Sequence, residues 1–123
     1  MKTISEKRIS IDGIEFLITI DNIGESNFEL DFSIVDGERL VFRDKTLTEK
    51  NLKGKQNPLR VFRRVMDIFI NELLPEFMAT NPDATLVFEA EPKRAQLYKR
   101  VIGKMGATMA PWDEVPGMFV IIW

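Results

Sequence analysis

Near the middle of this chain the hydrophobic period changes from two to between three and four, and that change limits the fold more than any other feature of its 123 residues. Ile14, Phe16, Ile18 and Ile20 alternate with Glu15, Leu17 and Thr19, and Ile9 and Ile11 begin a similar alternation ahead of Asp12-Gly13. Successive strand side chains point to opposite faces, so this pattern predicts strands with one buried and one solvated face, joined at Asp12-Gly13 by a tight hairpin turn. Asn22 to Asn27 is a polar, glycine-containing break, after which Phe28, Leu30, Phe32 and Ile34 alternate with Glu29, Asp31 and Ser33. Asp36-Gly37 is a second two-residue turn signal, returning the chain through Arg39 to Arg43 and as far as Leu47. The first half reads as an antiparallel meander.

From Leu59 the apolar residues fall at Leu59, Phe62, Met66, Phe69, Leu73 and Phe77, steps of three and four that predict a long amphipathic helix. Asn57-Pro58 supplies its start: an N-cap oxygen, then a proline whose missing N–H costs nothing at the first helical position. Pro75 is expected to kink or end the helix, and Asn81-Pro82-Asp83 to close the region. Leu86-Val87-Phe88 reads as a strand of the buried kind. A second helix is predicted from Pro92 to Lys104, with Leu97, Val101 and Met105 inward and Gly106 as the glycine just past its end. The apolar run Gly117 to Trp123 predicts a docked strand paired with the segment from Ala107 to Trp112; Trp112, Phe119 and Trp123 belong either to the core or to a partner-binding edge. The expectation is one α+β domain over 1–123, with a mixed, mostly antiparallel sheet and two helices in the order β-β-β-β-α-β-α-β-β.

Composition then restricts the chemistry. At 45% hydrophobic and 29% charged the chain can build a core. It has no cysteine and no histidine, which removes disulfides, thiol nucleophiles, Ser-His-Asp catalysis and Cys- or His-ligated zinc. The carboxylates form no Asp-x-Asp-x-Asp-Gly loop, so no metal is expected. Seventeen Lys and Arg against nineteen Asp and Glu give a net charge of -2, which provides no overall attraction for nucleic acid. Charges interrupt every apolar stretch, so neither a signal peptide nor a membrane span is predicted, and the expected location is the cytoplasm.

Arg60, Arg63 and Arg64, with Lys53 and Lys55 upstream, form the densest basic cluster. It reads either as a phosphate site or as a solvated helix face balanced by Asp67 and Glu72, since Asp67 is within pairing reach of both Arg63 and Arg64. Arg94 falls in the first turn of the second predicted helix, where a cation opposes the helix dipole unless a carboxylate or phosphate partner offsets it.

The order of elements, together with Phe88-Glu89-Ala90-Glu91-Pro92-Lys93-Arg94-Ala95-Gln96-Leu97-Tyr98-Lys99-Arg100 and the later Gly106, resembles the GNAT N-acetyltransferases from the strand before their central helix onward. Asn57-Pro58-Leu59-Arg60-Val61-Phe62, with Arg94 and Leu97-Tyr98, is similar to a group of small bacteriophage proteins described as acetyltransferase-like. The likeness covers roughly Leu40 to the last residue. It implies a GNAT-like fold without that family's N-terminal helices, and acetyl-CoA as cofactor, its pyrophosphate bound at the turn before the central helix. In this chain that turn holds Lys53, Gly54, Lys55 and Asn57, with Arg60 just inside the helix, and Arg94 in the first turn of the next helix is the further cofactor-binding candidate. The turn keeps one glycine, lacks the family's Arg/Gln-x-x-Gly-x-Gly/Ala spacing, and loses one N–H donor to Pro58. By the same resemblance Tyr98 protonates the departing thiolate and Glu89 is the candidate base; the alternatives are a half-buried packing tyrosine and a solvated strand-end glutamate. Two functions follow: an acyl-CoA-dependent N-acyltransferase, or a non-catalytic GNAT-fold module that binds another protein, of phage or host, in the cytoplasm or in a virion. Nucleic-acid binding through Lys53 to Arg64 is a weaker third.

Overall fold

A computed structural model describes residues 2–35, 39–40, 58–90 and 92–123, with the backbone alone at 34, 39–40, 58–59 and 92–94. Strands β1 (Lys2–Ile11), β2 (Ile14–Gly24), β3 (Asn27–Ile34) and β4 (Arg39–Leu40) precede helix α1 (Pro58–Ile68). A π turn over Phe69–Leu73 joins α1 to α2 (Leu74–Thr80), making one long helical arm. Then come β5 (Thr85–Glu89), α3 (Pro92–Lys104), β6 (Thr108–Pro111) and β7 (Met118–Ile122). The strand order is β1-β2-β3-β5-β7-β6, with β4 paired to β3 off this path. Among the described residues only β3 and β5 pair in parallel, so the sheet is mixed and mostly antiparallel, as the sequence predicts.

The β1–β2 connection is the expected two-residue turn: Ile11 pairs with Ile14, while Asp12 and Gly13 take φ of 49° and 85°, the left-handed pair that matches strand twist. The next turn, Glu25-Ser26, is less suited to its sequence, because Glu25 sits at φ 50° without asparagine or glycine chemistry. A left-handed L-residue costs about 1 to 2 kcal/mol, and the greater freedom of unfolded glycine returns part of that. Glu25→Gly should therefore raise stability by about 0.5 to 1 kcal/mol, measured by urea unfolding. The Asp36-Gly37 turn and the continuation from Val41 to Leu47 lie outside the described residues.

Alternation places Phe16, Ile18, Ile20, Phe28, Leu30 and Phe32 on the face that carries the helices, where all six are buried. Val87 is fully buried on the other face, as expected of a buried strand, but on β2 and β3 that face departs from the expected solvated surface, with Asp21 and Asp31 only 5% and 3% exposed. Asp21 meets part of the cost of burial by accepting a hydrogen bond from Thr3 Oγ1 at 2.6 Å. A central strand with the apolar run Leu86-Val87-Phe88 is the kind buried on both faces, and that two-sided burial extends outward over β3 and β2.

The helical arm also departs from a plain period. Phe62, Met66, Phe69 and Phe77 are buried as predicted, but Leu74 replaces Leu73 as the inward residue between Phe69 and Phe77. The π turn is the reason, since Leu74 N–H donates to Phe69 O, five residues back. One extra residue in the turn rotates the following face inward and lets Pro75, which has no N–H to give, enter the first turn of α2. Helix α3 buries Ala95, Tyr98, Val101 and Ile102, whereas Leu97 and Met105 are only half-buried, so the inward stripe lies one residue over from the one predicted on Leu97 and Met105. Gly106, at φ 89°, ends α3: its N–H bonds Gly103 O at 3.2 Å and Ala107 N–H bonds Ile102 O at 3.2 Å, the paired bonds of a glycine C-cap. No helix among the described residues is long and apolar enough to cross a membrane.

Candidate functional site

Tyr98 lies on the helix face of the sheet with 1% of its surface exposed. Its ring stacks on Phe62 of α1, with centroids 4.2 Å apart and planes at 20°. Phe62 tilts against Phe88 of β5 at 6.4 Å, and Phe88 against Phe119 of β7 at 6.2 Å. The phenol of α3 is thus stacked on α1, whose Phe62 rests in turn on β5, and its burial seals it from bulk water. It is more buried than the half-buried packing tyrosine expected from sequence.

Glu89 ends β5 opposite Met118 and is half-buried. Because Phe88 points to the helices, alternation turns Glu89 to the opposite face. The two candidate catalytic groups therefore flank the sheet from different sides.

Strands β3 and β5 share a parallel register over only Asn27–Thr85, Phe28–Leu86 and Glu29–Val87. Beyond it β3 pairs with β4 at Phe32 and Ser33, while β5 runs on to Glu89 beside β7. The parallel strands part toward the end from which α1 and α3 both begin.

Arg60, Arg63 and Arg64 follow one exposed flank of α1, where they line a groove of about 440 Å³ that reaches the β1–β2 turn and Met105. Arg60 meets Asp12 at 3.6 Å and Arg64 meets Asp67 at 3.3 Å. Glu72, expected to balance this cluster, instead pairs with Lys7 of β1 at 3.0 Å. Lys53, Gly54, Lys55 and Asn57 lie outside the described residues, and Arg94 is placed only by its backbone in the first turn of α3. Among the described residues no group of three or more acidic side chains is arranged to hold a metal.

No protein-family model, no curated protein and no solved structure matches this chain. Of the residues predicted for the site, Tyr98 joins the aromatic stack, Arg60 joins the groove and Glu89 stands on the far face. The groove's walls at Ile11, Asp12 and Met105 come from two other parts of the chain, and nothing in their local sequence marks them as neighbours of α1.

Proposed function

We propose that this chain is a GNAT-like N-acyltransferase, with an acyl-CoA thioester lying between β5 and β4, the strand that takes the edge of β3 where β5 leaves it. The observation that carries this reading is the three-pair parallel register of β3 and β5, after which β4 pairs with β3 in place of β5 at the end where both helices begin. A thioester passing between β4 and β5 would meet groups on both faces, which suits Tyr98 on one and Glu89 on the other. The acceptor amine attacks the thioester carbonyl, the C–S bond breaks, and the leaving thiolate takes the proton of Tyr98 while the new ammonium loses one to Glu89 or to water. A phenol sealed at 1% exposure can serve only a sulfur that is itself buried against it. Arg60 is assigned here to cofactor binding only if the coenzyme's phosphates extend to the flank of α1.

Thermal melting with excess acetyl-CoA and with free coenzyme A tests this. A ligand bound only by the native state at about 100 times its Kd adds about 2.7 kcal/mol, so the melting temperature should rise by several degrees. A second reading, the non-catalytic protein-binding module of phage or host, is favoured by the packing of Tyr98 and by the exposure of Val115, Ile122 and Trp123 near β7. Unchanged melting with both ligands supports that module instead.

A further inference from the structure

The arginine groove on α1 has features that the acyl-CoA reading does not require. Its wall on β1 is two strands from β3, about 10 Å at ordinary strand spacing, so it is set apart from the place where β3 and β5 separate. Arg63 and Arg64 both have Asp67 within helical reach, yet only Arg64 takes it. The carboxylate is already engaged at both oxygens: Arg64 holds Oδ2 at 3.3 Å, and Asn71 Nδ2 donates to Oδ1 at 2.9 Å. Among the described residues Arg63 makes no ion pair or hydrogen bond, although it lines a concave site. Arg60 also lines the groove and reaches Asp12 at 3.6 Å with a side chain 71% exposed, a surface ion pair.

The extent of the positive charge limits what can bind. Arg60 to Arg64 spans about 6 Å of helix, and the same arm continues with Asp67, Glu72 and Glu76. A nucleic-acid strand following the arm beyond Arg64, with a phosphate at every nucleotide, would meet carboxylates. The concavity itself is in the size range of small-molecule sites, and its apolar wall comes from Ile11 and Met105.

We propose that this groove binds a small phosphorylated molecule of nucleotide size, its phosphate held by the fork of Arg63 with Arg60 and Arg64 beside it, and its apolar part resting on Ile11 and Met105. Guanidinium groups suit this task because their planar donors meet two phosphate oxygens at once. Coenzyme A itself carries a phosphorylated adenosine, so a melting shift with acetyl-CoA that survives Arg63→Ala separates this groove from the acyl-CoA site, and one that is lost merges the two.

Isothermal titration of the full chain with ADP as probe tests it, alongside adenosine and a short single-stranded oligonucleotide. ADP is expected to bind with Kd below about 1 mM and at least about tenfold tighter than adenosine. Arg63→Ala should weaken ADP binding by about 10- to 100-fold, the size of one or two charge-assisted hydrogen bonds, while leaving the melting temperature unchanged because the side chain is exposed. Arg63→Lys should recover only part of the loss, since it restores charge without the fork. The proposal is overturned if ADP and adenosine bind alike, if ADP does not bind, if Arg63→Ala binds as the parent does, or if the oligonucleotide binds more tightly than ADP.

Discussion

Replacing Phe62 by alanine is expected to cost about 3 to 5 kcal/mol, read as a lower urea midpoint with an unchanged slope. The ring is fully buried at the junction of α1, α3 and β5, stacked on Tyr98 and tilted against Phe88. Each of those neighbours is anchored by its own element, so the walls around a truncated side chain cannot collapse without moving a helix or the central strand. The upper part of the range is appropriate because the loss combines transfer energy, an uncollapsed cavity and a stacked pair worth about 0.5 to 1.5 kcal/mol beyond its area. Against a typical total of about 5 to 15 kcal/mol this is a large fraction of the stability. Ile122→Ala, at a site 49% exposed, provides the comparison and should stay within about 0.5 kcal/mol of the parent.

The parts of this architecture that depend on local rules were legible in the sequence. Asp12-Gly13 specifies a turn by backbone sterics alone, and Gly106 ends α3 through a left-handed conformation that disfavours side chains. Strand alternation likewise found the helix-covered face of β2 and β3. Other features depend on which of two locally equal choices the tertiary packing selects. Leu73 and Leu74 are adjacent and equally apolar, and only the five-residue step of the π turn brings the second one inward. Pro75, which cannot accept the ordinary hydrogen-bond pattern, was the available hint. On α3 the steps Leu97, Val101, Met105 and Ala95, Tyr98, Ile102 are both helical; the stack on Phe62 turns the second inward, and of the first only Val101 is buried. The burial of Asp31 was illegible for a different reason: alternation identifies two faces but not what covers each of them.

The candidate site follows the same division. Sequence located the arginine cluster and the carboxylate in reach of it, but helical spacing treats Arg63 and Arg64 as equal claimants to Asp67. Asn71, one turn further on, takes the remaining oxygen, and this leaves Arg63 as the uncommitted charge. Long-range features such as the separation of β3 from β5 depend on strand pairing between residues nearly sixty positions apart, for which a single sequence has no local signal.

Tyr98→Phe separates the two proposed functions with the smallest change to the molecule. The substitution keeps the ring on Phe62 and removes only the hydroxyl, so the melting temperature should move little, within the effect of about one hydrogen bond. If Tyr98 supplies the proton to the departing thiolate, acetyl transfer from acetyl-CoA to an amine acceptor should fall by about 10²-fold or more, the usual contribution of a positioned general acid. The loss should lie in kcat rather than in coenzyme affinity, because the phenol acts on charge that develops only as the C–S bond breaks. Turnover equal to that of the parent, with equal melting, would leave Tyr98 as a packing residue and remove the acid from the proposed mechanism. Burial favours that second outcome, whereas the fixed ring favours the first, since an acid that cannot rotate away is already positioned for transfer. The kinetic comparison decides between them because packing is identical in the two proteins and only the proton donor differs.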